Sequence, residues 1–470
     1  MTGPVPELDE RASACAGRLE EASEVLLVSH IDADGLASAG IAASALERAE
    51  ITFEATFAKQ LDGDEIERIA ESEFETVLFT DFGSGQLDVI VDHEDAGDFT
   101  PVVCDHHQPA DADTEFHCNP LLEGLNGATE LSGAGTAYLL SRALGGTDNR
   151  DLAALAVVGA VGDMQASGGE LAGANAAIVA EGREAGVLDT GTDLALYGTQ
   201  TRPIPKLLEY TSDVGIPGIS GDSNGTLRFL DGLDLDLREN GEWRCWADLA
   251  DDEKRTIASA LVRRAVASGV PSEKIDTLVG TTYTLAREKR GTELRDASEF
   301  STLLNATARY ERAGVGLAVC LGDRDGALDA ARELLKNHRR NLSKGLRLVK
   351  SIGIDHEDHL QWFDAGDRIP ETIVGIVAGM ALGSEGTDPE KPIVAFAAKD
   401  EKNAKVSARG TRALVRNGLD LSAVVGEAAR AVDGDGGGHD VAAGATVPAD
   451  EKRAFIKRAD RLVGEQLESG

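Results

Sequence analysis

Three short apolar runs mark the first 110 residues: EVLLVSH (24–30), FETVLFTDFG (74–83) and TPVVCDHH (100–107). Continuous apolar runs of this length are the pattern of strands buried on both faces. Between them GLASAGIAASALERA (35–49) and KQLDGDEIERIAES (59–72) have helical spacing, and RDLAALAVVGAVGDM (150–164) follows as a third helix-like segment. Strand and helix therefore alternate through the first 165 residues, which predicts a doubly wound parallel sheet. From about 200 to 335 the chain is mixed: RPIPKLLEY and GIPGISGDSNG read as loop-rich, and a helix is expected from about Asp252 to Ala267. Residues 331–350 read as one long helix, and the last unit carries strands PIVAFAAKD and KVSARGT, a helix LSAVVGEAARAV, and then DGGGHDVAAGATV.

The three expected strands end alike. The first leads into His30, Asp32 and Asp34, the second into Asp81, and the third into Asp105, His106 and His107. In an open α/β sheet the carboxyl ends of the strands form the ligand crevice, so these side chains are expected to converge. Asp163 adds a fourth acid at the end of an apolar helix. So many carboxylates in one crevice cannot all ionise without cations. Carboxylates mixed with one or two imidazoles, and no thiolates, suit Mn²⁺ or Mg²⁺. Two such ions about 4 Å apart suit phosphoryl chemistry.

HIDADG, TDFG, CDHH and VGDM resemble, in order and spacing, the four motifs of the DHH phosphoesterase superfamily, and GGGHDVAAGA is similar to its DHH-associated C-terminal domain. The middle segments RPIPKLLEYTSDVGIPGISG and SEFSTLLNATARYERAGVGLAVCLGD are similar to archaeal RecJ-like single-strand exonucleases. The resemblance implies an α/β chain in these parts: a catalytic DHH domain (1–190), an inserted α+β middle region for interactions (191–335), a basic connecting helix and linker (336–364), and a DHH-associated substrate-binding domain (365–470). It implies that Asp32, Asp34, Asp81, His106 and Asp163 hold two Mn²⁺ ions, with Mg²⁺ as the alternative, and that Asp81 bridges them. His107 would contact the scissile phosphate and Asp105 would orient its neighbours. His30 is either a further ligand or only a neighbour, because it stands two residues before Asp32 where related pyrophosphatases have four. Arg409, Gly436, Gly437, Gly438 and His439 would bind substrate. A glycine run lets backbone N–H groups approach an anion, and arginine offers a bidentate fork.

Charge changes this picture in two ways. The chain has 82 acidic against 46 basic residues, a formal net charge of −36 spread along its length. A dispersed acidic surface suits solubility at very high salt, where screening also weakens the objection to an anionic ligand. Against that background the basic clusters stand out: Lys336, Arg339, Arg340, Lys344, Arg347 and Lys350, then Lys399, Lys402, Lys405, Arg409, Arg412 and Arg416. They read as a groove tracking the backbone of single-stranded nucleic acid. Five cysteines without a CxxC spacing argue against a disulfide framework and for a reducing cytoplasm. No window has the length and apolarity of a membrane span, and no signal peptide is visible.

The expectation is thus a cytoplasmic, metal-dependent hydrolase of phosphodiesters, an exonuclease on DNA or RNA single strands in replication or repair. Two rivals remain. One is a phosphodiesterase of short oligonucleotides or nucleotides, nanoRNase-like. The other is a subunit bound to accessory proteins of the replicative helicase.

Overall fold

The structure is a computed structural model that describes residues 3–166, 169–211, 214–383 and 386–469. Contacts divide it into two units, Met1–Arg332 and Glu333–Gly470.

The first unit begins with α1 (Asp9–Glu21), and then strand and helix alternate: β1 (Val25–His30), α2 (Ala33–Arg48), β2 (Phe53–Ala58), α3 (Gly63–Ala70), β3 (Thr76–Thr80), α4 (Leu87–Ala96), β4 (Thr100–Cys104) and β5 (His117–Cys118). The sheet order is β2-β1-β3-β4-β5, every pair parallel. Strand order reverses at β1, so its carboxyl end and that of β3 flank the topological switch point. The expected buried runs are β1, β3 and β4, but they are not consecutive strands: β2 intervenes. FEATFA escapes a search for continuous apolar runs because β2 is an edge strand that keeps exposed positions. In space the correction brings the acid-bearing strands together, since β1, β3 and β4 are sheet neighbours.

Behind the sheet lie α5 (Gly133–Gly145), α6 (Ala153–Gly162) and α7 (Gly173–Glu184). Small residues let α2, α5 and α6 approach closely. A Cβ on Gly159 would fall 2.3 Å from Asp34 Oδ1 and 2.4 Å from Ala134 Cβ.

The middle region has its own apolar core, built on Ile204, Leu207, Ile216, Leu230, Trp246, Ile257 and Leu261. Its elements are β6 (Leu188–Leu194), α8 (Ile204–Glu209), α9 (Ser223–Asp231), the hairpin β7 (Arg238–Glu239) and β8 (Glu242–Trp243), α10 (Asp251–Ala267), α11 (Ser272–Asp276) and β9 (Val279–Leu285), which pairs antiparallel with β6. Then α12 (Ala297–Arg309) and α13 (Ala313–Cys320) return to pack on α2 and α6, and α14 (Gly326–Ile352) runs across the boundary between units.

The second unit holds β10 (Asp355–His356), β11 (Gln361–Asp364), α15 (Glu371–Ala381), β12 (Ile393–Ala398), β13 (Asn403–Arg409), α16 (Arg412–Arg416), α17 (Leu421–Arg430), β14 (Asp435–Gly438), β15 (Ala442–Pro448) and α18 (Lys452–Ser469). The sheet order is β10-β11-β12-β13-β15-β14, with only β11 and β12 parallel. Successive residues of β12 face opposite cores: Ile393, Ala395 and Ala397 join one with α15, and Val394 and Phe396 join the other with α17 and α18. The whole is an α/β chain with a parallel-sheet N-terminal domain, a middle domain and an α/β C-terminal domain. Among the described residues no helix is long and apolar enough to cross a membrane.

Candidate metal centre

The turn after β1 sets the first acids. Asp32 caps α2, its Oδ1 accepting from Gly35 N at 2.9 Å. Gly35 packs against the backbone of His30, where a Cβ would fall 2.1 Å from His30 O. One residue into the helix, buried Asp34 turns inward and accepts from Gly133 N (2.7 Å) and Ala134 N (3.0 Å), the first N–H groups of α5. A helix N-terminus favours that negative charge.

Asp81 follows β3 with φ +63°, a left-handed backbone conformation that costs a residue with a side chain and persists only where the surrounding structure holds it. Its Oδ2 lies 3.5 Å from His30 Nδ1, and its Oδ1 lies 3.3 Å from His106 Nε2. The two oxygens of one carboxylate therefore face two imidazoles. Oδ1 is buried and has no hydrogen-bond partner. Gly133 makes room for it, since a Cβ there would fall 2.2 Å from that oxygen.

After β4, Asp105 is fully buried and holds its neighbours from below. It accepts from Ser84 N (3.0 Å), His106 N (2.7 Å) and His107 Nδ1 (2.8 Å). His106 Nδ1 donates to Gly127 O at 2.7 Å, which fixes the tautomer and leaves Nε2 free as a ligand. Nε2 lies 3.8 Å from Asp34 Oδ2 and 3.9 Å from Asp163 Oδ2. Asp163 ends α6, where the helix dipole disfavours an acid.

Three groups of ligand atoms result: His30, Asp32 and Asp81; Asp34, His106 and Asp163; and Asp81, Asp105, His106 and His107, each within 4.8 Å. Protonation follows the crowding. Burial, with Asp81 and Asp163 beside it, holds the Asp34 carboxyl well above its usual range, and burial raises Asp163. Burial would lower His30, but hydrogen bonds to Asp32 and Asp81 outweigh it and push it up to about 11. Burial also opposes the charge on His106, which Asp81 and Asp34 nevertheless raise well above the ordinary imidazole value. The hydrogen bond to Asp105 raises His107. Without a cation, the cluster thus favours protons on its three imidazoles and shifts two carboxyls toward the neutral form. The set fits hard divalent cations: carboxylate and imidazole donors, no thiolate among the grouped ligands, and an orphaned carboxylate oxygen at its centre.

All eight residues expected at the metal centre from the sequence converge here. The expected clamp is in the second unit. Register sets Arg409 opposite Ala442 and Gly438 opposite Ala443, so the arginine and the glycine run share one end of that sheet. Packing accounts for two of the three glycines: a Cβ on Gly436 would fall 2.5 Å from Ala445 Cβ, and one on Gly438 would fall 2.7 Å from Ala442 O. Only Gly437 faces open space, and His439 N donates to Ala442 O at 2.9 Å. On α14, Lys336, Arg339, Arg340, Lys344, Arg347 and Lys350 are all exposed.

Several site residues were not legible in the sequence. From α12, Asn305 Oδ1 accepts from Ala33 N at 3.2 Å, and Arg309 lies within electrostatic reach of Asp32. Their spacing, one helical turn apart on an amphipathic helix, is the only sequence signal they gave. Behind His107, Asn119 donates to His107 O and to Ser84 Oγ (2.9 Å each), and Ser84 Oγ meets His117 Nε2 at 2.9 Å.

Comparison with known proteins covers nearly the whole chain. Residues 24–160 match the DHH family N-terminal domain, residues 196–279 the DHH-CID domain, and residues 360–465 the DHHA1 domain. An uncharacterized protein of Methanocaldococcus jannaschii is 31% identical over 451 residues, which are 94% of each chain. Among solved structures, RecJ of Thermus thermophilus in complex with Mn²⁺ is 18% identical with a TM-score of 0.62, covering 99% of this chain and 56% of that one. The same protein in complex with Mg²⁺ gives a TM-score of 0.54. This chain therefore spans little more than half the length of that RecJ. CDC45 from Entamoeba histolytica is 11% identical with a TM-score of 0.67, covering 97% of this chain and 98% of its own.

Proposed function

The chain belongs to the DHH superfamily, among its RecJ-like members, and from that premise we propose that it is a divalent-metal-dependent phosphodiesterase that degrades single-stranded nucleic acid from an end. One observation carries the reading: Asp81 directs its two oxygens at the two imidazoles His30 and His106, one oxygen buried and without a partner. A carboxylate so placed would be shared between two cations. His30, Asp32 and Asp81 would hold one ion; Asp34, His106, Asp163 and the other oxygen of Asp81 would hold the second. Manganese is the proposed ion, with magnesium as its substitute.

When bound, such ions supply Lewis acidity to a phosphoryl group and lower the pKa of attacking water. The chain's own residues do the rest. Asp105 holds Nδ1 of His107, so His107 presents Nε2 outward from a half-exposed ring. With its pKa raised by that pairing, the ring keeps a proton to donate to a phosphoryl oxygen. Arg309 adds a second cationic group beside Asp32. Gly437, His439 and Arg409 would bind substrate phosphates in the second unit, and the exposed cations of α14 would track the strand.

The test is degradation of end-labelled 20-mer DNA and RNA with Mn²⁺ at molar salt, which suits so acidic a surface. Asp81→Ala and His106→Ala should abolish it. Full activity in either variant refutes the two-ion assignment. Faster turnover of a dinucleotide than of the 20-mer would replace the exonuclease reading with the short-substrate one.

The match to a DHH-CID domain at residues 196–279 and the CDC45-like fold favour a second, compatible reading. The middle domain would dock accessory proteins of a replicative helicase.

A further inference from the structure

Gln165 has no role in the centre described above, yet it is almost fully buried beside one proposed ligand and the carbonyl that holds another. Its Nε2 donates to Asp163 Oδ2 (2.9 Å) and to Gly127 O (2.8 Å). Gly127 O is the same carbonyl that receives His106 Nδ1–H. Its Oε1 accepts from Asn175 Nδ2 at 2.6 Å, and Asn175 is buried at the start of α7, its own N–H bonded to Glu130 O at 2.7 Å. Both donors and the acceptor of the amide are thereby used, which fixes its orientation. Flipped, the amide would set its oxygen against two acceptors and its NH₂ against a donor.

We infer that Gln165 is a positioning residue for the ion proposed at Asp34, His106 and Asp163, locking Asp163 and the Gly127–His106 pair into one coordination geometry. This rests on the metal-centre reading. The two ligands come from separate segments, the end of α6 and the end of β4, and Gln165 is the side chain that ties them together. Asp163 sits at a helix C-terminus with an unfavourable dipole, so its rotamer needs an external hold. Among the described residues the hydrogen bonds of Gln165 go to Gly127, Asp163 and Asn175 and none to His30, Asp32 or Asp81, so removing the amide should weaken one site and largely spare the other.

The experiment is Mn²⁺ titration of the chelator-stripped full chain, followed by electron paramagnetic resonance of free Mn²⁺, with melting curves of the metal-free protein. Gln165→Met keeps the length of the side chain and removes its hydrogen bonds. It should lower the affinity of one of two Mn²⁺ ions about 10–100-fold, the range for loss of a hydrogen bond behind a metal ligand, and leave the other within twofold. Asn175→Asp touches neither ligand but sets a carboxylate against Gln165 Oε1, which favours the flipped amide. The added charge alone would strengthen cation binding, so a weaker site in this variant supports the inference even if Gln165→Met fails to fold. Wild-type affinity at both ions in Asn175→Asp, or in a folded Gln165→Met, overturns the positioning role. Absence of Mn²⁺ uptake by the unaltered protein overturns the metal centre itself.

Discussion

Asp81→Asn separates the metal centre from the fold that holds it. At φ +63° asparagine is at least as well accommodated as aspartate, so the backbone keeps its shape. The buried cluster loses one negative charge, which relieves Asp34, whose carboxyl Asp81 helps to hold above its usual range. Because Asp81 also supports the charge on His30 and His106, the metal-free variant serves as its own baseline. Metal is another matter. An ion present at 100 times its Kd stabilises the folded state by about 2.7 kcal/mol. An unfolding entropy of about 2.1 cal/mol/K per residue, over the 332 residues of the first unit, amounts to about 0.7 kcal/mol/K. Each ion should then raise the melting temperature of that unit by about 4 °C. In Asp81→Asn both proposed ions would lose the carboxylate assigned to both, and the shift due to each should fall below about 1 °C, equivalent to a hundredfold weaker binding. Calorimetric melts with and without Mn²⁺, reversed by chelator, read it directly. A chelator-reversible shift near 4 °C or more in the variant refutes the shared-ligand reasoning.

Three further outcomes follow from the same geometry. Glu299 is fully buried, and burial, eased by Thr201 and Gln200 N, holds its carboxyl at about 7. A carboxyl raised in the fold contributes stability below its unfolded value and loses it as pH rises through 7. Glu299→Gln should gain about 3 kcal/mol over the unaltered protein between pH 4.5 and 8 by the linkage of pKa to stability, and an equal difference at both pH values refutes it. Mn²⁺ must displace protons held on His30 and His106 at neutral pH. Titration calorimetry in Tris and in HEPES should therefore give different apparent enthalpies, and identical ones would refute the protonated state. Lys344→Ala and Arg347→Ala on α14 should each reduce the slope of log affinity against log salt for single-stranded DNA by about 0.7; an unchanged slope removes α14 from the binding path.

The sequence made the centre legible wherever chemistry interrupts a strong pattern. Asp81, Asp105 and His106 follow apolar runs that bury β3 and β4, and Asp163 breaks a helix that is otherwise apolar, so each shows as a misplaced charge. β2 was missed because an edge strand with exposed positions has no such run. Asn305 and Arg309 were missed because they belong to an ordinary amphipathic helix some 270 positions from the turn that Asn305 contacts. Gln165 and Asn175 hid among small residues, where a polar side chain normally marks a surface. Their burial and their mutual bonds exist only once α6 and α7 have packed. Likewise GGG in isolation does not say which glycine is free. Pairing with β15 uses Gly436 and Gly438 for close approach and leaves Gly437 open.

Three local rules are broken within a few ångströms of one another. Asp81 adopts a left-handed backbone, Asp163 stands at the wrong end of a helix dipole, and Asp34 buries a carboxylate among carboxylates. Each alone costs on the order of a kcal/mol and is found in many proteins. Their coincidence is different: without metal the charge on all three acids is answered by one ring, the protonated His106 at 3.3 Å from Asp81, 3.8 Å from Asp34 and 3.9 Å from Asp163. The helix N-terminus at Gly133 and Ala134 answers only Asp34. Divalent cations would replace the repulsion among the carboxylates with coordination and give Asp81 Oδ1 the partner it lacks. Sites where a sequence violates its own local preferences are where function is expected to reside. Here the violations cluster around Asp81, where the proposed pair of ions would place a positive charge on either side of its carboxylate.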